Sequence, residues 1–87
     1  MKKDRKCEIH VEKGKFYFSS KRYNEAIKEF QTALDYDCNN TDVLYSLAVT
    51  YETSNDYDLA KETYQKVLGI HPEHTLARKH LERMLEK

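Results

Sequence analysis

Six residues recur at a fixed spacing. Tyr17, Tyr23, Ala26, Phe30, Ala33 and Leu34 are answered by Tyr51, Tyr57, Ala60, Tyr64, Val67 and Leu68, each partner 34 positions further on. A period between about 20 and 50 residues marks a stacked-repeat architecture, in which one unit cannot bury its apolar face alone and does so against the next copy. This narrows the fold more than any other feature of the chain. Such arrays display surface, so the period leans toward binding rather than catalysis.

The repeated unit reads as a pair of helices. Apolar residues spaced three and four apart predict helices over Arg5–Ser19, Asn24–Tyr36, Asp42–Thr53, Asp58–Leu68 and Thr75–Glu86. Polar clusters separate them at Ser19–Arg22, Asp37–Asn40 and Ser54–Asp56, with Asn40 or Thr41 placed to cap the third helix. Gly69 is placed to stop the fourth helix, and Pro72 prevents its continuation. Two glycines and one proline leave little for a turn-rich β fold. Short connections force consecutive helices antiparallel. The expected fold is all-α: an α-solenoid of two antiparallel helical hairpins with a C-terminal capping helix. Helices this short are marginal alone in water, so packing between hairpins must hold them.

The small residues fall where such packing needs them. Gly14 and Ala48 on the first helix of each pair face Ala26 and Ala60 on the second, which allows a close crossing. Tyr17/Tyr51 and Phe30/Tyr64 fill the space on either side.

This spacing resembles the tetratricopeptide repeat, whose pattern is Trp-x2-Leu-Gly-x2-Tyr, then Ala-x3-Phe, then Pro. The second copy reads Leu44-x2-Leu47-Ala48-x2-Tyr51, Ala60-x3-Tyr64, Pro72. The first reads His10-x2-Lys13-Gly14-x2-Tyr17, Ala26-x3-Phe30, Cys38. The resemblance divides the chain into a basic N-terminal segment (1–6), a first repeat (7–40), a second (41–74) and the capping helix (75–87). The first repeat departs from the pattern at His10, Lys13 and Cys38, which questions how firmly the first helix is held.

The two ends differ. At the positions matching Leu44 and Ala48 the last helix carries Arg78 and Glu82, which cannot accept another packed helix and are expected to face water. At the other end, Ile9, Lys13 and Phe16 match Val43, Leu47 and Thr50 but have no preceding hairpin to cover them. Ile9 and Phe16 are therefore expected to be exposed, as a candidate surface for self-association into a homo-oligomer.

The resemblance implies a curved array whose first helices line a concave groove that holds a partner peptide or helix. The stripe beside the core positions supplies the candidates: Glu8, Val11, Lys15, Phe18 and Ser19; then Asp42, Tyr45, Val49, Glu52 and Thr53; then Leu76, Lys79 and Arg83. Phe18 and Tyr45 are the expected anchors. The groove carries both charge signs, which suits a segment of mixed charge better than a purely acidic tail. Members that hold the acidic C-terminal tails of heat-shock chaperones use a Lys/Asn/Asn/Lys/Arg clamp. The matching positions here are Val11, Lys15, Ser46, Leu76 and His80, none of which keeps the expected residue, so that ligand class is not expected.

The remaining features argue against other functions. Net charge is zero with a pI near 6.9, without the basic excess of nucleic-acid binders. The basic cluster Lys2, Lys3, Arg5 and Lys6, interrupted by Asp4, reads as a solvated terminus. No apolar run is long enough for a membrane span, and Met1–Phe16 lacks a signal-peptide core. Two cysteines without an export signal point to a reducing, cytoplasmic setting, although Cys7 and Cys38 fall near the same end of the first hairpin, where a disulfide is conceivable. Asn39-Asn40-Thr41 matches a glycosylation sequon by chance. His71-x2-His74, with His80, His10 and Cys7, completes no four-ligand set, so no metal or cofactor is expected. No catalytic constellation stands out, and the chain is not expected to be an enzyme.

Overall fold

Two helical hairpins and a single helix stack in chain order in a computed structural model that describes residues 5–36 and 41–86. Helix α1 (Arg5–Ser19) pairs with α2 (Tyr23–Asp35), α3 (Thr41–Thr53) pairs with α4 (Tyr57–Ile70), and α5 (Thr75–Leu85) closes the array. Packing runs α1 on α2, α2 on α3, α3 on α4 and α4 on α5. No strand occurs among the described residues. The all-α solenoid of two antiparallel hairpins with a capping helix is the observed architecture.

The repeat extends to the backbone of its turns. Lys21 and Asn55, 34 positions apart, both take left-handed φ, 64° and 70°. The hydrogen bonds around them superimpose on the same offset. Arg22 N–H reaches Tyr17 C=O at 2.8 Å, as Asp56 N–H reaches Tyr51 C=O at 2.8 Å. This closure ties off the last carbonyls of the first helix in each hairpin and reverses the chain within three residues. Neither position is glycine, and a lysine in this region costs about 1 kcal/mol. Lys21→Gly should therefore raise stability by about 0.5–1 kcal/mol, read as a higher urea midpoint at unchanged slope.

Helix α4 does not stop at Gly69. It continues through Gly69 to Ile70, and no glycine takes positive φ. The stop comes from Pro72, which pushes the preceding His71 out of the helical region, to φ −134° and ψ 82°. Helices α2 and α4 also begin one residue earlier than expected, at the paired Tyr23 and Tyr57.

The core is one continuous cluster across both hairpins. Ala26, Ala48 and Ala60 are fully buried at the crossings, and Phe30 and Tyr64 are the largest buried side chains. Val43, Leu47 and Thr50 close the seam between α2 and α3. Thr50 satisfies its buried hydroxyl by donating to the Ser46 carbonyl at 2.7 Å. Gly14 is buried directly under Phe30, whose ring carbons lie 2.6–2.8 Å from where a β-carbon would stand.

Helix α1 lacks apolar residues at two core positions, and a polar staple compensates. His10 Nδ1 lies 2.7 Å from Glu29 Oε1 on α2, and its ring stacks on Tyr36 at 5.6 Å. Lys13 is exposed. At the far end Ala77 and Leu81 are buried against α4 while Arg78 and Glu82 are exposed, and Arg78 donates to the Pro72 carbonyl at 2.6 Å. The last helix is thus apolar on one side and charged on the other, as a terminal cap requires. Ile9 and Phe16 are 51% and 65% exposed on α1.

Residues 1–4, 37–40 and 87 lie outside the described residues, and with them Lys2 and Lys3 of the basic N-terminal cluster, the sequon asparagine and the Asn40 cap. Cys7 is buried and disulfide-bonded; Cys38, the chain's other cysteine, also lies outside. Among the described residues no helix is long and apolar enough to cross a membrane.

Candidate partner-binding groove

Stacking of the two hairpins brings the neighbouring stripes of α1 and α3 to a common seam, where residues of both line the same cavities. Two cavities follow it. The first, about 340 Å³, is walled by Phe18, Tyr45 and Val49, floored by Phe30, and edged by Lys15, Ser19 and Ser46. Phe30 reaches it from α2 because Gly14 carries no side chain to stand in the way. The second, about 430 Å³, continues toward the helix N-termini and is lined by Glu8, Val11, Glu12 and Asp42. Lys15 and Ser46 form the wall shared by both.

Eight of the candidate groove residues meet along this seam: Glu8, Val11, Lys15, Phe18 and Ser19 from α1, and Asp42, Tyr45 and Val49 from α3. Phe18 and Tyr45 are half-buried, each with one edge held from within. Phe18 meets Tyr23 edge-on at 5.4 Å, and Tyr45 lies 4.9 Å from His74 and 6.0 Å from Tyr64. They are thus fixed in orientation while still facing the cavity.

Five candidates, Glu52, Thr53, Leu76, Lys79 and Arg83, fall elsewhere. Glu52 turns inward: its Oε1 accepts from Tyr64 Oη at 2.7 Å and lies 2.9 Å from His80 Nδ1. Arg83 stands 3.6 Å from the other carboxylate oxygen. Burial pushes the Glu52 carboxyl up, but the hydrogen bonds from Tyr64 and His80 and the charges of His80 and Arg83 outweigh it, so its net position is below the ordinary carboxylate value. The same burial, reinforced by Glu52, drives the Tyr64 hydroxyl well above the ordinary phenol range. This network ties α5 to α3 and α4, and its members are structural before they are available to a ligand. Thr53, Leu76 and Lys79 are exposed and line neither cavity.

Six residues of the site were not singled out as groove residues by spacing, among them Glu12, Val43 and Ser46, which line the cavities. Phe30 and Thr50 read as core, which they are, but each also borders the first cavity. His80 read as a surface histidine, yet it is half-buried, stacked on Tyr64 at 5.2 Å and 3.3 Å from Tyr45 Oη. The Tyr64 and His80 positions, sixteen residues apart on different helices, carry no local signal that would have paired them. His74 is likewise committed, its Nδ1 accepting from Ala77 N–H at 3.1 Å as the cap of α5.

Of the five positions matching the chaperone-tail clamp, Lys15 and Ser46 line the first cavity, Val11 is half-buried, Leu76 is exposed and His80 is engaged inside the fold.

The profile of the tetratricopeptide repeat family matches residues 17–85. Among curated proteins, peptidyl-prolyl cis-trans isomerase FKBP4 of mouse, rat and cattle is 29% identical over 72 residues, which is 83% of this chain but 16% of that protein. The chain therefore spans about a sixth of the length of these relatives. Among solved structures, the first repeat domain of Spaghetti (RPAP3) bound to the HSP90 peptide SRMEEVD matches with a TM-score of 0.57 at 20% identity, covering 97% of this chain and 94% of that one. The expectation that an acidic chaperone tail is disfavoured gains no support from this neighbour, whose own ligand is an HSP90 peptide.

Proposed function

We propose that this chain, which belongs to the tetratricopeptide repeat family, grips an extended segment of a partner protein along the seam between α1 and α3. A protein-interaction module is what its family and fold support. The observation that carries the finer reading is the first cavity, where half-buried aromatic walls and an aromatic floor meet a rim of one ammonium and two hydroxyls. Apolar walls with few polar groups at the rim are how concave sites take up a side chain and orient the backbone around it.

Phe18→Ala and Tyr45→Ala should each weaken partner binding by about 1–2 kcal/mol, roughly five- to thirtyfold in Kd by calorimetry with a captured partner segment. Equal affinity in both variants, each still folded by circular dichroism, would remove the groove from consideration.

A second reading has its own observation. Ile9 and Phe16 are more than half exposed on the outer side of α1, the side a preceding hairpin would cover. If a second copy covers it, Phe16→Asp should return a dimer to monomer in light scattering; a wild-type chain that is monomeric at millimolar concentration would end this reading.

A further inference from the structure

Resting on the groove reading above, we infer that the partner segment is basic rather than acidic, pairing one bulky apolar side chain with a lysine or arginine about three residues away. The cavities set this pattern. They are contiguous, sharing Lys15 and Ser46 as a common wall, so one extended segment passes through both. The first is apolar and closed beneath by Phe30, and it takes the apolar side chain.

The second presents three carboxylates, Glu8, Glu12 and Asp42, against the single ammonium of Lys15. None of these three acids is in an ion pair among the described residues, although the chain as a whole is electrically neutral. A patch of one sign at the end of an apolar slot favours the opposite sign at the corresponding point of the ligand and penalises its own. The spacing follows from helix geometry. Asp42 and Val49, one beside each cavity, are seven residues apart on α3, about 10 Å of helix. An extended chain covers that distance in about three residues. The cations beyond the groove do not reverse the preference, because neither Arg83, which stands 3.6 Å from Glu52, nor Lys79 lines either cavity.

The test is selection of a displayed library of random twelve-residue peptides on the intact chain, with the winners resynthesised and measured by fluorescence anisotropy. Three readouts separate the possibilities. Winners that lose binding in Phe18→Ala or Tyr45→Ala, and that carry lysine or arginine two to four positions from an apolar residue, support the inference. Their affinity should fall about tenfold in the triple variant Glu8→Gln/Glu12→Gln/Asp42→Asn, and fall in the wild type as salt is raised. Winners that depend on Phe18 and Tyr45 but are acidic or show no charge preference overturn the inference and leave the groove standing. So would tighter binding of SRMEEVD than of its variant with both glutamates changed to lysine. Absence of any winner sensitive to Phe18 or Tyr45 overturns both. The acidic positions are exposed on helix surfaces, so circular dichroism of the triple variant should match the wild type.

Discussion

Gly14→Leu is expected to lower stability by about 3 kcal/mol, a large part of the stability of a domain this small. Even a methyl group at this position would sit 2.6–2.8 Å from three carbons of the Phe30 ring, which is 1% exposed and hemmed in by α1, α2 and α3. The ring lines the first cavity, so part of the strain would be relieved by its moving into that space. Gly14→Ala should accordingly lose partner binding as well as stability. Gly69 supplies the control: a β-carbon there meets nothing within 4 Å, and it lies inside α4. Gly69→Ala should stabilise by about 0.5–1 kcal/mol through reduced freedom of the unfolded chain. Thermal unfolding by circular dichroism reads both, at roughly 4–8 °C per kcal/mol. Equal melting temperatures for Gly14→Leu and wild type would refute the close crossing.

Tyr64→Ala is expected to cost about 3–5 kcal/mol. The side chain is completely buried, its ring stacks on His80, and its hydroxyl donates to Glu52. Removing it opens a cavity between α3, α4 and α5 and takes away the surface on which His80 rests. Tyr64→Phe keeps the ring and loses one hydrogen bond to a carboxylate, an expected cost of about 1.5–2 kcal/mol, moderated because Glu52 retains His80 and Arg83. The pair of variants separates packing from polarity. Amide hydrogen exchange should show α5 protected least in Tyr64→Ala, since α5 packs on α4 and is tied to α3 through this network. A Tyr64→Ala chain within 1 kcal/mol of wild type in urea would show that the cap is held by something else.

Local spacing carries a great deal in a repeat protein, because each unit obeys the same short-range rules twice. The recurrence of Tyr17/Tyr51, Ala26/Ala60 and Phe30/Tyr64 was enough to read five helices, two hairpins and their antiparallel pairing, and the charged Arg78 and Glu82 marked the outer face of the cap. Helix ends were less legible. The left-handed turn residues are Lys21 and Asn55, and lysine announces no such conformation. Gly69 announced a stop that Pro72 makes two residues later.

What the linear pattern determined by itself is the architecture and the faces: which side of each helix is buried, where the crossings are close, and which stripe supplies most of the residues around the two cavities. Periodicity contains that information because a helix turns its residues outward at a fixed angle. Which residues on that stripe face a cavity, and which are drawn into the fold, was decided only by the tertiary structure. Glu52 and Arg83 fell on the groove stripe by spacing, yet Tyr64 and His80 from two other helices hold the Glu52 carboxylate, and Glu52 lines a different cavity with the exposed Arg83 and with Tyr57 and Lys61 of α4. Phe30 belonged to the core by spacing, yet Gly14 on another helix lets it form the floor of a cavity. Those outcomes depend on side chains far apart in sequence competing for the same space and the same hydrogen-bond partners, and no period along one strand of text records who meets whom across a seam.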